Sequence, residues 1–531
     1  MIDVLIIGSG GAGLSAALEA KKNCENVVVL SKTYPTMSQT SQAQGGINAI
    51  LNNSKDTVQN HIDDTIKSAH SIGDIDTIKY MCENSKETIS WLDDIGVPFS
   101  RDENNNIAQR KLGGALNPRA CYSSDYTGLK ILHTLYDTCL KEYIEFISEN
   151  MLLNFIVDNG VVKGITSLDI ATSEVKQILA KKVVVASGGY AGIYSGFTTN
   201  STATTGDAIA AALRVGCEVS NMEYIQFHPT SMRGNCILIS ESARGEGGYL
   251  VTKDEKRFVD ELQARDVVAR AIYEKIQDEQ EVYLDLRHLG LEKIKESMPQ
   301  EYDLALQFSG LKLDQDLIPI QPAAHYTMGG IKTNLEGETN IKNLYAIGEC
   351  SSNGVHGANR LGGNSLLEIV TFGRLVGKNV SLDSKEIVSI ENKEYSVFIN
   401  DKKNIEDIFD LESKVDFYDK RQIMGKLFYE DVGLFRTQES LQKVFKEIKS
   451  WEHELKLMGI SDKSRVYNTN LKELLEFQNM LDLCDAIVIS ALARKESRGA
   501  HYRLDYTSES ADFQRETTVS KKQDKILVEL V

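Results

Sequence analysis

The chain has 531 residues, 42% of them hydrophobic, enough to bury a large core and to divide into two to four domains. Lys and Arg number 59 against 76 Asp and Glu, and the net charge of −17 excludes nucleic acid and anionic membrane surfaces as general partners. An anionic substrate therefore needs its own local cluster of Arg and His.

Val4-Leu-Ile-Ile7 reads as a buried parallel strand, and Leu14–Lys22 as the helix that follows. Between them, Gly8-Ser-Gly10-Gly11-Ala12-Gly13 forms a G-x-G-x-x-G turn. Gly8 permits the tight turn, Gly10 admits a pyrophosphate to the backbone, and Gly13 lets helix and strand pack closely. Phosphates would rest on the helix N-terminus, where free N–H groups favour anions. Val27–Leu30 reads as a second strand. The ribose-binding acid expected about 20 residues past the turn is absent, because Ser31-Lys32 stand there, which weakens a nicotinamide reading. The small, polar Met37–Gly46 loop, with Ser38, Gln39, Thr40, Gln44 and the Gly45-Gly46 pair, suits a flat ring lying against backbone. Helical periodicity then runs through Asp56–Ala69 and Ile75–Leu92.

Lys182–Ala186 is another short buried strand, ending at Gly188-Gly189, and Asn343–Gly348 repeats the pattern with Glu349 at its tip. Three strand-then-glycine signals suit one parallel sheet interrupted by an insertion. The insertion spans about residues 229–322 and carries its own strand signal, Val282–Leu286. Residues 381–406 are polar and unpatterned, as a linker would be. Beyond them, Leu441, Val444, Phe445, Ile448 and Trp451, then Leu471, Leu474, Leu475, Leu481 and Val488, fall at helical spacing and read as helix-bundle core. The expected division is a dinucleotide-binding domain over 1–228 and 323–380, a capping domain over 229–322, a linker over 381–406, a helical domain over 407–500 and a tail over 501–531.

The eight cysteines, Cys24, Cys82, Cys121, Cys139, Cys217, Cys236, Cys350 and Cys484, form no C-x-x-C pair. Zinc and iron–sulfur sites are therefore unsupported, no metal is expected, and the scattered thiols suit a reducing compartment. No apolar run approaches the roughly 20 residues that span a bilayer, and a strand starting at residue 3 leaves no room for a signal peptide. The expected location is cytoplasmic, or peripheral on an inner membrane through partner subunits.

Five further stretches carry chemistry: Gln226-Phe-His228-Pro-Thr230, Ser240-Glu241-Ser-Ala-Arg244, Ala264-Arg265-Asp266, His325-Tyr-Thr-Met-Gly-Gly330 and His356-Gly-Ala-Asn-Arg360-Leu-Gly-Gly-Asn-Ser365-Leu366. With the opening turn they resemble the flavoprotein subunits of the succinate dehydrogenase/fumarate reductase family, which also includes L-aspartate oxidase. The resemblance runs in consistent order from about Ile2 to Asp505. It implies an α/β fold: a Rossmann-type FAD-binding domain interrupted by an α+β capping domain, followed by a C-terminal helical domain. FAD would run from the Gly8–Gly13 turn past Ser31 and Lys32 to Ser38–Gly46, with Gly188, Gly189, Asp207, Glu349, Arg360, Ser365 and Leu366 completing the site. The substrate would be a four-carbon dicarboxylate, fumarate or succinate, held by Arg360, His228, His325 and Ser240, the last standing where the family usually has threonine. Resemblance assigns the proton donor to Arg265, and because free arginine is a very poor acid it requires a relay, matched by Glu241 and Arg244.

Two departures bear on the choice within the family. Respiratory members often place histidine where Gln39 stands, as the covalent attachment point of flavin, so non-covalent FAD is expected and with it a tilt towards fumarate reduction. Aspartate oxidases typically place glutamate before a glycine pair to hold the substrate ammonium, whereas this chain has Leu112-Gly113-Gly114, and burying an unpaired ammonium is costly. The expected protein is a fumarate reductase/succinate dehydrogenase flavoprotein subunit with an iron–sulfur partner and a membrane-anchor subunit. L-aspartate oxidase is the alternative, and a non-catalytic dicarboxylate sensor a third reading, which the retained relay residues oppose.

Overall fold

The computed structural model describes residues 1–52, 56–382, 390–391, 393–522 and 525–531. Its first strand, β1 (Ile2–Ile7), buries Val4 to Ile7 almost completely, and after Gly8 the chain turns into α1 (Gly11–Lys21). β2 (Val27–Leu30) pairs parallel to β1, with Val4 opposite Val27. The helix expected from Asp56 begins at Val58, where Thr57 accepts a hydrogen bond from Asn60 N as its cap. The periodic run over Ile75–Leu92 is two helices, Ile75–Glu83 and Ser85–Asp94, because Asn84 departs from helical geometry (ψ 1°) and turns its side chain back onto the Tyr80 carbonyl.

β3 (Val175–Val185) lies on the other side of β1, again parallel, with Leu5 opposite Val183. α2 (Asp207–Arg214) follows, and β4 (Ile225–Met232) leads into the segment that interrupts the sheet. That segment contains α3 (Glu241–Gly245), α4 (Arg265–Gln277), β5 (Val282–Asp285) and α5 (Pro299–Ser309) before returning along β6 (Ile318–Thr327). β4, β6, β5 and the Tyr249–Thr252 strand form an antiparallel sheet. Its helices close over a core of its own, built around Leu250, Val268, Ile272, Leu284 and Ile318.

β7 (Leu344–Ala346) then rejoins the first sheet beside β3, with Leu344 opposite Val183. β1, β3 and β7 all run the same way, so their carboxyl ends, at Gly8, Gly188 and Gly348, open on one crevice, the usual ligand position in a parallel sheet. Packing behind them is α6 (Asn364–Leu382), which crosses α1 at close range: a Cβ on Gly377 would lie 2.4 Å from the Ala16 carbonyl oxygen.

Two regions differ from expectation. The polar stretch read as a linker over 381–406 contains most of the Ser396–Asp410 helix, with Ile405 buried against the sheet; residues 383–389 and 392 of that stretch lie outside the described residues. Residues 501–531 are no loose tail. β8 (Thr517–Lys522) and β9 (Lys525–Leu530), with α7 (Gln438–Glu454) and α8 (Thr469–Ala493) preceding them in the chain, form a hairpin whose inner strand pairs with Val219–Ser220. β8 carries one apolar residue, Val519, which lies opposite Val219 and Val528, so its sequence shows no alternation.

Candidate active site

A single cleft runs from the glycine turn at the tip of β1 to the inserted segment. Its non-protein space, open mouth included, is about 1720 Å³.

At one end, Gly8, Gly10, Gly11 and Ala12 line the wall. Gly8 has φ +113°, and a side chain there would strike the Ala186 carbonyl at 2.2 Å. Gly13 does not reach the cleft: its Cβ would lie 2.0 Å from the Gly8 carbonyl oxygen, so its absence lets α1 seat on β1. The Gly11 amide is capped by Thr40 Oγ1 at 3.1 Å. Ser31 Oγ contacts Ser9 Oγ at 2.9 Å.

Lys32 lines the same wall, but its Nζ donates to Thr205 Oγ1 (2.9 Å), Asp207 Oδ2 (2.6 Å) and Glu476 Oε1 (2.9 Å). An ammonium has three N–H donors, and all are engaged. Asp207, the first residue of α2, thus puts a carboxylate beside Lys32 on the cleft wall. Burial alone would raise the Asp207 carboxyl, but the Lys32 charge together with hydrogen bonds from Lys32, Asn479 and Thr205 brings it below its ordinary range.

The middle of the cleft is bounded by Ser38, Gln39, Thr40, Gln44, Gly45 and Gly46. Gln39 Oε1 accepts from the Ser201 amide at 3.0 Å, while Ser38 Oγ and Gln44 Oε1 are buried without a partner in the chain. Arg110, on the far side, donates to the Gln44, Gly45 and Ser124 carbonyls and fixes this loop. Leu112, 2% exposed, covers Gly45. Gly188, Glu349, Ser365 and Leu366 close the opposite wall, whereas Gly189 lies behind it, leaving room for the Glu349 carboxylate and the Thr327 hydroxyl. Glu349 accepts from Thr327 N at 2.9 Å, and burial pushes its carboxyl up to about 7.

At the other end the inserted segment contributes His228, Ser240, Glu241 and Arg265, facing His325 and Arg360. Arg265 and Arg360 converge on one acceptor: each guanidinium donates to Gln226 Oε1, both at 3.0 Å. Glu241 Oε2 accepts from Arg265 Nε (3.0 Å) and NH2 (2.5 Å). α3 places Arg244 one turn on, 3.9 Å from Glu241 Oε1 and fully buried behind it, away from the cleft wall. Burial alone would raise the Glu241 carboxyl, but Arg265 and Arg244 bring it below its usual value. Arg360 stacks over the Tyr326 ring at 4.2 Å, and burial with the neighbouring Arg265 charge lowers it to about 10.

The rings of His228 and His325 are 5.1 Å apart. His325 Nδ1 meets Thr199 Oγ1 at 2.8 Å, and His228 Nε2 lies 3.0 Å from the Ile239 carbonyl and 3.1 Å from Thr230 Oγ1. Burial and the surrounding cations push both imidazoles well below their ordinary range, so both are neutral at pH 7. Gln226, Thr199, Tyr326 and Arg110 escaped the sequence reading. Gln226 stood inside a quoted motif, but nothing in a linear sequence marks an amide as the junction of two distant guanidiniums.

A long cleft between a glycine turn and a histidine–arginine pocket, with glycine surfaces for a flat ring and diphosphate and unpaired polar atoms along its middle, fits FAD and a small anion together. The protein is an FAD-dependent oxidoreductase. The FAD binding domain family matches residues 3–366, and the fumarate reductase flavoprotein C-terminal family matches residues 421–530. The fumarate reductase flavoprotein subunit of Proteus vulgaris is 36% identical across 95% of this chain and 89% of its own length. The succinate dehydrogenase flavoprotein subunit of Rickettsia bellii is 38% identical across 95% and 90%. Among solved structures, a mutant form of E. coli quinol fumarate reductase FrdA superposes with a TM-score of 0.94 at 34% identity, covering 100% of this chain and 96% of that one. The chain belongs to the fumarate reductase/succinate dehydrogenase flavoprotein family.

Proposed function

We propose that this subunit interconverts fumarate and succinate at a non-covalently held FAD, with fumarate reduction the favoured direction. The observation that carries the substrate assignment is the charge balance of the pocket. Of three buried guanidiniums at this end, Arg244 and Arg265 share one carboxylate, Glu241, and Arg360 has no ion pair among the described residues. Buried unpaired cations are costly, and a dicarboxylate supplies the missing negative charge.

Bound FAD would exchange a hydride with one alkene carbon, and the protein must move a proton at its neighbour. Arg360 would grip one carboxylate, with His325 and Ser240 adding donors around the diacid and His228 lining the pocket beside them. Arg265 would deliver the proton, and Glu241, whose Oε2 accepts two of its N–H groups, would return one from the Arg244 side. Neutral histidines suit this division, since neither competes as an acid at pH 7: His325, whose Nδ1 can accept from Thr199, keeps its Nε2–H for the diacid, while His228 gives its one N–H to the Ile239 carbonyl.

Support for non-covalent FAD comes from position 39, whose amide offers no nucleophilic imidazole and whose oxygen is engaged by Ser201 N. An L-aspartate oxidase reading is opposed by Leu112, which presents hydrocarbon to the cleft where an ammonium would need a carboxylate. The relatives are named flavoprotein subunits, and on that ground we infer an iron–sulfur subunit docked on this one, with membrane attachment through an anchor subunit. Among the described residues no helix is long and apolar enough to cross a membrane.

The test supplies reduced viologen and fumarate to the FAD-loaded protein, and separately aspartate with oxygen. Fast viologen oxidation with negligible peroxide is expected. Peroxide formation from aspartate would transfer the assignment to aspartate oxidase, and tight fumarate binding without turnover would favour a sensor. Acid precipitation should release all yellow colour into solution; flavin retained on the pellet would refute the reading of Gln39.

A further inference from the structure

We propose that the C-terminal helical region completes the dinucleotide site, through Glu476 and Asn479 on α8 acting as positioning residues for the cofactor's ribose-binding carboxylate, Asp207. Neither residue lines the cleft. Both reach the back of the residues that do. The inference rests on the FAD assignment.

Lys32 occupies the position past the glycine turn where a ribose-binding acid would stand, and an ammonium cannot accept a hydrogen bond from a ribose hydroxyl. Asp207, the first residue of α2, lies beside it and lines the cleft. Its two oxygens are held separately. Oδ2 takes Lys32 Nζ at 2.6 Å and Thr205 Oγ1 at 3.0 Å, while Oδ1 takes Asn479 Nδ2 at 2.9 Å. Asn479 is in turn oriented by Arg214 NH1, 2.8 Å from its Oδ1. That leaves one aspect of the carboxylate for the cleft.

Glu476 holds the other half of the clamp. Its side chain is 1% exposed, and its Oε1 accepts the remaining Lys32 proton at 2.9 Å. Arg421 and Lys472 lie 3.6 Å from its carboxylate. Without Glu476, Lys32 would have a free N–H and a choice of partners, and Asp207 would lose the fixed cation that keeps it ionised and aimed. One turn of α8, more than 440 residues from Lys32 in sequence, would thus set cofactor affinity without touching the substrate.

The experiment titrates FAD into apoprotein and follows flavin fluorescence. Glu476→Gln should weaken FAD binding roughly tenfold or more, with Asn479→Ala in the same direction. Glu476→Asp should recover most of the loss, and Glu473→Gln, on the same helix but paired with Tyr418, should leave affinity unchanged. At saturating FAD the Glu476→Gln enzyme should keep the parent KM for fumarate. Lys32→Met combined with Glu476→Gln should cost no more than Lys32→Met alone, because the two act as a unit. Parent-like affinity in Glu476→Gln, or simple additivity in the double variant, would overturn the proposal. Failure of the parent itself to bind FAD would instead overturn the cofactor assignment.

Discussion

Arg265 and Arg360 meet at a single amide oxygen, and their mutual repulsion is offset by Gln226, Glu241 and the Tyr326 ring face. Removing the Arg265 guanidinium takes away the proposed acid and leaves Glu241 as a buried, weakly paired anion. Arg265→Ala should lower fumarate reduction by roughly 10²–10⁴-fold, the range for a lost general acid, with FAD still bound by absorbance. Retained turnover would remove the proposed donor. Gln226→Leu should raise the KM for fumarate, as the two guanidiniums lose the acceptor that spaces them. A second buried carboxyl, Glu301 on α5, lies behind Ser240, accepting from its amide at 3.2 Å, and burial near Asp125 pushes it up to about 8. An acid with a folded pKa above its unfolded value of about 4.3 costs nothing below that value. It destabilises progressively as pH rises towards about 8, because the unfolded chain ionises first. Glu301→Gln should therefore leave the unfolding midpoint near the parent's at about pH 5 and raise it above the parent's at about pH 9.

At the scale of elements, the glycine turn works because helix and strand can touch. α1 seats on β1 only where Gly13 has no Cβ, and α6 seats on α1 through Gly373 and Gly377, whose Cβ atoms would strike the Ala12 and Ala16 carbonyls. Gly13→Ala places a methyl 2.0 Å from backbone oxygen, so strand and helix must separate. Overpacking of this kind costs about 1–3 kcal/mol, and here it also displaces the N–H groups that face the cofactor. Reduced FAD occupancy together with a lowered unfolding midpoint is the expected result, read by flavin-to-protein ratio and calorimetry. The short helix α3 is the other positioning element: Ser240 caps its first turn by accepting from Ser242 N at 3.0 Å, and the same turn aligns Glu241 with Arg244.

The whole molecule is held by pairings that the chain order does not suggest. The C-terminal hairpin adds its inner strand to Val219–Ser220, and Val519 is fully buried there. Val519→Ala should lower stability by about 1–2 kcal/mol through lost burial and a small cavity, measurable as an earlier denaturant midpoint. An unchanged midpoint would mean that the hairpin contributes little to the core. Arg494, with no exposed surface, ties α8 to Glu223 and Glu496 and to the carbonyls of Phe513 and Arg515. The helical region and the hairpin are thereby fixed to one another and to the Val219–Glu223 segment that leads into β4.

Local chemistry made much of this legible in advance. Four apolar residues before a glycine turn specify a buried strand and a phosphate-binding helix start, and apolar spacing in α7 and α8 specifies bundle helices, because both follow from backbone geometry within one or two turns. The histidine and arginine motifs became pocket candidates through their resemblance to the family, not through local geometry, and folding brings His228, His325, Arg265 and Arg360 to one cleft. What the linear order could not carry was which distant groups meet: Asp207 and Glu476 at Lys32, Gln226 between two guanidiniums, the terminal hairpin against Val219. Those contacts depend on long-range burial, where a polar atom must find a partner once water is excluded, and only the folded chain decides which one it finds.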